Sequence, residues 1–307
     1  MSAPFIEVSG VSKLFGHIRA LNEVSFTLGA GTFGLLGPNG SGKSTLMKLV
    51  CGQLNPDTGA VKVLGLDPFE RPEIFRALGL CPEQDRFYED MTGVQFVTAL
   101  CRLQGVGARD ARKMAERALE RVGMSAHGKK QLRAMSRGMR QRIKIAQAVA
   151  HDPQVVLLDE PLTGADPVAR ADLIKLVQSL GAEGRCVLVS SHVLHEVEAM
   201  THQVLLLREG RLRAQGDIFK LRRLLTDRPY RIQVEVADPR RLAARLLNAD
   251  IFTSVTLLGD DAMELTTVDL DAAVSALPEA AAALGVTVKR LSSPDADLES
   301  VYRYLIR

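Results

Sequence analysis

"GPNGSGKS", Gly37 to Ser44, is the stretch from which the rest of the chain can be read. It satisfies the pattern G-x-x-x-x-G-K-[ST], and it has the neighbours that the pattern needs. Before it, "LNEVSFTLGAGTFGLL" alternates apolar and polar residues as strands do, with Gly29 and Gly31 marking a turn inside the run. After Gly42 the text becomes "KSTLMKLVCGQL", where Leu46, Leu49 and Val50 fall at helical spacing and Gly52 offers a stop. Strand, glycine loop and helix in that order make an anion cradle. Glycines let successive backbone N–H groups turn inward around a phosphate, and the helix start presents the positive end of its dipole to the same charge. Lys43 can reach β- and γ-phosphates as a point charge, and the Ser44 hydroxyl suits a magnesium ion. Gly37, Pro38, Asn39, Gly40, Ser41, Gly42, Lys43, Ser44 and Thr45 are therefore the expected nucleotide-binding residues.

Two further runs, "QVVLLDEP" and "RCVLVSSH", are apolar without alternation, the mark of parallel strands buried on both faces. A helix around "VARADLIKLVQSLGAEG" separates them. Asp159 and Glu160 emerge at a strand's carboxyl end, where α/β proteins bind ligands. Asp159 is expected to hold magnesium, directly or through water. Glu160 is the expected general base for an attacking water, with Pro161 turning the chain away. His192 follows a third strand end and is expected at the γ-phosphate, from order alone. Glu160, His192 and Lys43 thus form the expected catalytic set.

Elsewhere, "FIEVSGVSKLF" reads as an opening strand, and residues 93–147 as an inserted helical layer. In that layer Ala111, Met114, Ala115, Ala118 and Val122 make one apolar face. "HQVLLLREGRLRAQG" reads as a hairpin turning at Glu209 and Gly210. A boundary is expected between Gly216 and Pro229, dividing the chain into 1–217 and 218–307. The second part reads as strand ("YRIQVEVA", with Ile232, Val234 and Val236 on one side), helix, strand, strand, helix, strand and a final helix. That order suggests a small α+β, ferredoxin-like unit, although Pro278 inside its second helix argues against a continuous helix there. In "DADLESVYRYLIR", Leu298, Val301, Tyr302 and Leu305 share a face of the final helix.

At 307 residues, with 46% hydrophobic and 24% charged residues, the chain has the composition of a folded protein of more than one domain. A net charge of +3 is too small to argue for nucleic acid as a bulk partner, and none is expected; the arginines between Arg208 and Arg245 read as a solvated face or as a contact for an anionic membrane surface or an acidic partner. Cys51, Cys81, Cys101 and Cys186 have no metal-ligand spacing and read as reduced core thiols. "MSAPFIEVSG" lacks the features of a signal peptide, and no run reaches the roughly 18 apolar residues of a membrane span. The chain itself is expected not to cross a bilayer.

With "GPNGSGKS", "VVLLDEP", His192 and, between them, "MSRGM" (Met135 to Met139), residues 4–217 resemble the nucleotide-binding subunit of an ABC transporter. The resemblance implies a P-loop NTPase ABC cassette with a mixed sheet core, an N-terminal antiparallel β layer and an inserted helical subdomain. It implies ATP and Mg2+ as ligands. "MSRGM" fills the slot of the family's LSGGQ signature, with Arg137 and Met139 replacing its first glycine and its glutamine. Such variants resemble those of subunits that serve ABC-2-type exporters. By resemblance, Ser136 and Gly138 bind the γ-phosphate of ATP held by a second subunit, so two chains close head-to-tail over two nucleotides. Read from the residues alone, Ser136 caps a basic helix and directs its N–H groups at an anion.

Phe15 matches the family's adenine-stacking aromatic and Asp166, in "LTGADP", its D-loop aspartate. In "GLCPEQDRF" the Q-loop slot holds Glu83, followed by Gln84, and both are carried as candidates for magnesium and water. Phe87, Tyr88 and Met91 read either as a docking groove for a membrane subunit or as core. The family reading implies a second ABC subunit and an integral membrane permease as partners, and a place on the cytoplasmic face of the cell membrane. The alternative is a soluble ABC ATPase acting on the ribosome or DNA. Those resemble double cassettes or carry a long coiled coil, and this chain has one cassette and no such insertion.

Overall fold

Alternation in the opening residues builds two long strands, β1 (Ile6–Phe15) and β2 (Ile18–Leu28), whose inward side chains Ile6, Val8, Val11, Leu21 and Val24 are fully or almost fully buried. The computed structural model describes residues 3–223, 229–247, 250–294, 300 and 302. They divide into two units, Met1–Gly216 and Asp217–Arg307.

In the first unit the chain continues through β3 (Gly31–Leu36), α1 (Lys43–Val50), β4 (Thr58–Val63), β5 (Leu78–Cys81), α2 (Gly93–Leu103), α3 (Ala108–Arg121) and α4 (Arg137–Val149). Then come β6 (Val155–Asp159), α5 (Pro167–Ala182), β7 (Cys186–Ser191), α6 (Leu194–Met200), β8 (Gln203–Arg208) and β9 (Arg211–Asp217). Strands β2, β1 and β4 make an antiparallel layer. The other strands form a six-stranded sheet in the order β5-β6-β7-β3-β8-β9, parallel from β5 through β8. Every residue of β6 and β7 is buried, as their unbroken apolar runs require. The β8–β9 hairpin turns through Glu209 (φ 52°) and Gly210 (φ 72°), both left-handed, as a tight primed turn demands.

One apolar core joins the two sheets through α1: Ile6, Val8 and Leu21 from the antiparallel layer meet Leu46, Leu49 and Val50, which meet Leu35, Leu157 and Leu188. Burying three apolar side chains of α1 contributes about 1.5–3 kcal/mol each, enough to pin the glycine loop to the strand that precedes it. In α3 the expected face is buried at Ala111, Ala115 and Ala118, with Val122 behind them and Met114 half-buried; Leu119 joins it. The four cysteines are free and buried. Among the described residues, no helix is long and apolar enough to cross a membrane.

The second unit runs α7 (Ile218–Arg223), β10 (Tyr230–Val236), α8 (Pro239–Leu246), β11 (Phe252–Leu257), β12 (Ala262–Thr267), α9 (Leu270–Leu284) and β13 (Val288–Ser292). Its sheet is antiparallel in the order β11-β12-β10-β13, so β12 lies between β11 and β10, the split βαβ order of a ferredoxin-like sandwich. Ile232, Val234, Val236, Leu242, Leu265 and Leu277 fill its core. The doubt raised by Pro278 is corrected here: α9 continues through it. Pro278 and Val274, whose carbonyl would take the missing bond, both face solvent, so water can satisfy that carbonyl. Of the final helix only Ser300 and Tyr302 are described, both helical; Leu298, Val301 and Leu305 lie outside the described residues.

Candidate functional site

The order β6-β7-β3 sets three strand ends side by side, with Leu36 opposite Ser191 and Asp159 opposite Ser190. From β3 the chain enters the glycine loop and then α1, whose cap Gly42 has φ 105°. A Cβ at Gly37 would collide with the Leu207 carbonyl and the Ser41 hydroxyl, and one at Gly42 would lie 2.5 Å from the Ala20 carbonyl oxygen. Glycine is required at both places by sterics. Lys43 is buried; its ammonium donates to the carbonyl oxygens of Gly37 (2.7 Å) and Pro38 (3.3 Å). Burial pushes its pKa below the ordinary lysine value, against the pull of Glu160, Asp159 and Glu83.

At the end of β6 the buried Asp159 carboxylate accepts a hydrogen bond from the Ser190 hydroxyl of β7. Glu160 follows in a left-handed conformation, φ 50°, its N–H shared between the carbonyl (3.2 Å) and hydroxyl (3.1 Å) of Ser190. A non-glycine residue held there stores strain of order 1–3 kcal/mol, and such strain gathers at functional sites. His192 Nδ1 lies 2.9 Å from Glu160 Oε1, its N–H donating to the carboxylate.

A cavity of about 420 Å³ is walled by the loop from Asn39 to Thr45, by Glu160 and His192, and by Ile18 and Arg19 of the β1–β2 hairpin. A neighbouring cavity of about 670 Å³ has Ser44, Asp159 and both Glu83 and Gln84 on its wall. Glu83 lines both cavities and Gln84 only the second. Phe15 lines neither; it is half-exposed and pairs with Ile18 across the hairpin, so it is a surface residue and no part of the core.

The residues fit a nucleoside triphosphate and its magnesium. Ser41 Oγ is buried with no hydrogen-bond partner among the described residues, a donor left over inside the phosphate loop. No cluster of three or more His, Cys, Asp or Glu that could cage a metal exists among the described residues. Ser44 with Asp159 instead suits an ion that keeps waters and takes its other ligands from phosphate.

Ser136, Gly138 and Asp166 line neither cavity. Ser136 is exposed and caps α4, its Oγ accepting from Met139 N at 3.3 Å. Gly138 opens outward: a Cβ there would meet only the Gly164 carbonyl oxygen, at 3.9 Å. Asp166 caps α5, accepting from Ala169 N at 2.9 Å. Two basic residues of α4, Arg140 and Lys144, face the segment around and after Glu83. Arg140 pairs with Asp85 and Glu89 and lies 4.8 Å over the Phe87 ring; Lys144 donates to the carbonyls of Pro82 and Glu83. Phe87, half-buried, also meets Phe96 edge-on, and Met91 is half-buried, whereas Tyr88 is 71% exposed. Ile18, Gln141 and Ser190 escaped sequence reading. A serine and a glutamine give no period, and only the doubled serine before His192 hinted at a polar strand end.

The ABC transporter family model matches residues 21–163. The Nod factor export ATP-binding protein I of Rhizobium sp. (strain N33) is 33% identical over 70% of this chain and 72% of its own length. The bacitracin transport ATP-binding protein of Enterococcus faecalis is 29% identical over 98% of this chain and 96% of its own, reaching through the second unit. Among solved structures, an ATP-binding subunit of an ABC transporter superposes with a TM-score of 0.66 at 26% identity, covering 72% of this chain and 92% of that one.

Proposed function

This chain belongs to the ABC transporter ATP-binding proteins, and from that premise we propose that it hydrolyses ATP as one of a pair of copies that drives a separate membrane-embedded permease, in export. The observation that carries the reading is the contact of Glu160 with His192 at the mouth of a cavity walled by the glycine loop. Ser44 and Asp159 would hold Mg2+, with Glu83 or Gln84 beside them. When bound, the ion neutralises charge on the β- and γ-phosphates. Lys43 exchanges the Gly37 and Pro38 carbonyls for phosphate oxygens. Glu160 takes the proton of the attacking water as its oxygen bonds to the γ-phosphorus and the bond to the bridging oxygen breaks, giving ADP and phosphate. His192 keeps that carboxylate turned toward the cavity.

Ser136, which is exposed, and Gly138, which is half-buried, line no cavity of their own loop and contact the γ-phosphate over the second copy's loop, with Asp166 at the seam. Phe15 stacks on adenine beside Ile18. ATP favours the closed pair and ADP does not, which converts hydrolysis into motion of the permease. The chain then works at the cytoplasmic face of the membrane, and residues 218–307 form an accessory domain. Purified Glu160→Gln protein with magnesium and ATP should elute as a dimer on a sizing column; a monomer would count against the pair. Gentle detergent extraction with this chain as bait should recover a multi-span integral protein, and ribosomes or DNA in its place would overturn the transport reading.

A further inference from the structure

Two contacts tie the helix that carries Ser136 to the loop that follows Glu160. Gln141, one turn into α4, is 4% exposed, and its side-chain amide donates to the Pro161 carbonyl oxygen at 2.7 Å. Pro161 directly follows Glu160, so this bond holds the chain just past the carboxylate, while Ser190 holds the Glu160 N–H on the other side. Arg137, the first residue of α4, lies along Gly164 so closely that a Cβ there would strike its Cγ, Cδ and Nε. Gly164 has φ 78° and no side chain to obstruct that approach. Glu160 keeps its left-handed backbone only while its surroundings hold it.

We propose that Gln141, with Arg137 beside it, is a positioning residue that couples α4 to the backbone of Glu160, so that a nucleotide pressing on Ser136 and Gly138 is felt at the same chain's base. The inference rests on the reading above, in which Ser136 and Gly138 meet the nucleotide of a second copy. Under that reading the nucleotide touching α4 is not the one that Glu160 serves. The Gln141 tether therefore connects the two sites of the pair, and filling one sets the base of the other. A buried carbonyl that loses its donor is costly, so helix and loop move together.

Gln141→Met keeps the length and helix preference of the side chain and removes the donor. In the full chain, kcat for ATP hydrolysis should fall about tenfold or more, the effect of one lost buried hydrogen bond. The Hill coefficient for ATP should fall from above 1 to 1, and ATP affinity should stay unchanged because Gln141 does not line the nucleotide cavity. Gln141→Asn, which keeps the amide one carbon short, should fall between, and it decides by the same readouts if the methionine variant does not fold. Wild-type kcat and cooperativity in both variants would overturn the proposal. So would loss of ATP affinity together with kcat, which would make Gln141 a structural residue alone, and a wild-type Hill coefficient of 1 would overturn the link between sites. Failure of the underlying reading has a different signature: Glu160→Gln protein would stay monomeric with ATP while Gln141→Met still lowered kcat.

Discussion

Ser190 joins the Asp159 carboxylate to the backbone of Glu160 just past the end of β6: its fully buried hydroxyl donates to Asp159 and accepts from the N–H of Glu160 at 3.1 Å. Hydrogen bonds to a charged group contribute about 1.5–3 kcal/mol. Ser190→Ala is nearly the same size, so the fold should persist, but Asp159 should lose its orientation. The expected result is about a tenfold weaker apparent affinity for Mg2+ in the presence of ATP, measured by titration calorimetry. An unchanged Mg2+ affinity would remove Ser190 from the account.

Gly42 and Gly138 should respond oppositely to alanine. At Gly42, with φ 105° and the Ala20 carbonyl 2.5 Å from a built Cβ, alanine should cost about 1–3 kcal/mol and abolish ATP binding. At Gly138 the space is open and the residue is helical, so alanine should raise stability by about 0.4–1 kcal/mol, seen in urea melts. Under the proposed pairing ATPase should nevertheless fall, because the second copy's nucleotide would have to approach that backbone.

Acid should loosen the link between α4 and the segment after Glu83. Burial alone would raise the Asp85 pKa, but hydrogen bonds from Arg140 and Lys144 outweigh it and hold the carboxyl below its ordinary value. A depressed folded pKa gives stability that is full above the unfolded value, near 3.8, and lost as pH falls through the folded one. Asp85→Asn should therefore flatten the stability profile at that acid end, measured by melting temperature against pH, and the wild type should fall more steeply.

Pro278→Ala restores an N–H to the middle of α9. Proline in a helix interior costs about 3 kcal/mol. Because Val274 is exposed and its carbonyl can turn to water, part of that cost is offset, and the expected gain is about 1–2 kcal/mol in the transition of residues 217–307. Differential scanning calorimetry of the full chain would read it.

The parts that were legible in the sequence share one property: burial on both faces or a steric need for glycine leaves a pattern in single letters. Strands β6 and β7 were visible because nothing polar interrupts them before Asp159 and Ser190, and the loop because only glycine fits at Gly37 and Gly42. Gln141 leaves no signal in the letters, since its bond to Pro161 spans 20 positions and has no period. Phe87 and Tyr88 stand next to each other on an irregular stretch, where no periodicity says which is covered. The solvent-facing side of α9, which tolerates Pro278, depends on packing that the letters do not state.

The ammonium of Lys43 rests on the oxygens of Gly37 and Pro38. Any polyphosphate guest must compete with these internal acceptors, so its grip reflects a difference between two alternatives and never the full attraction of either. A competition so balanced is reversible: once the guest is shortened by one phosphate, the loop can reclaim its own cation and let the remainder go.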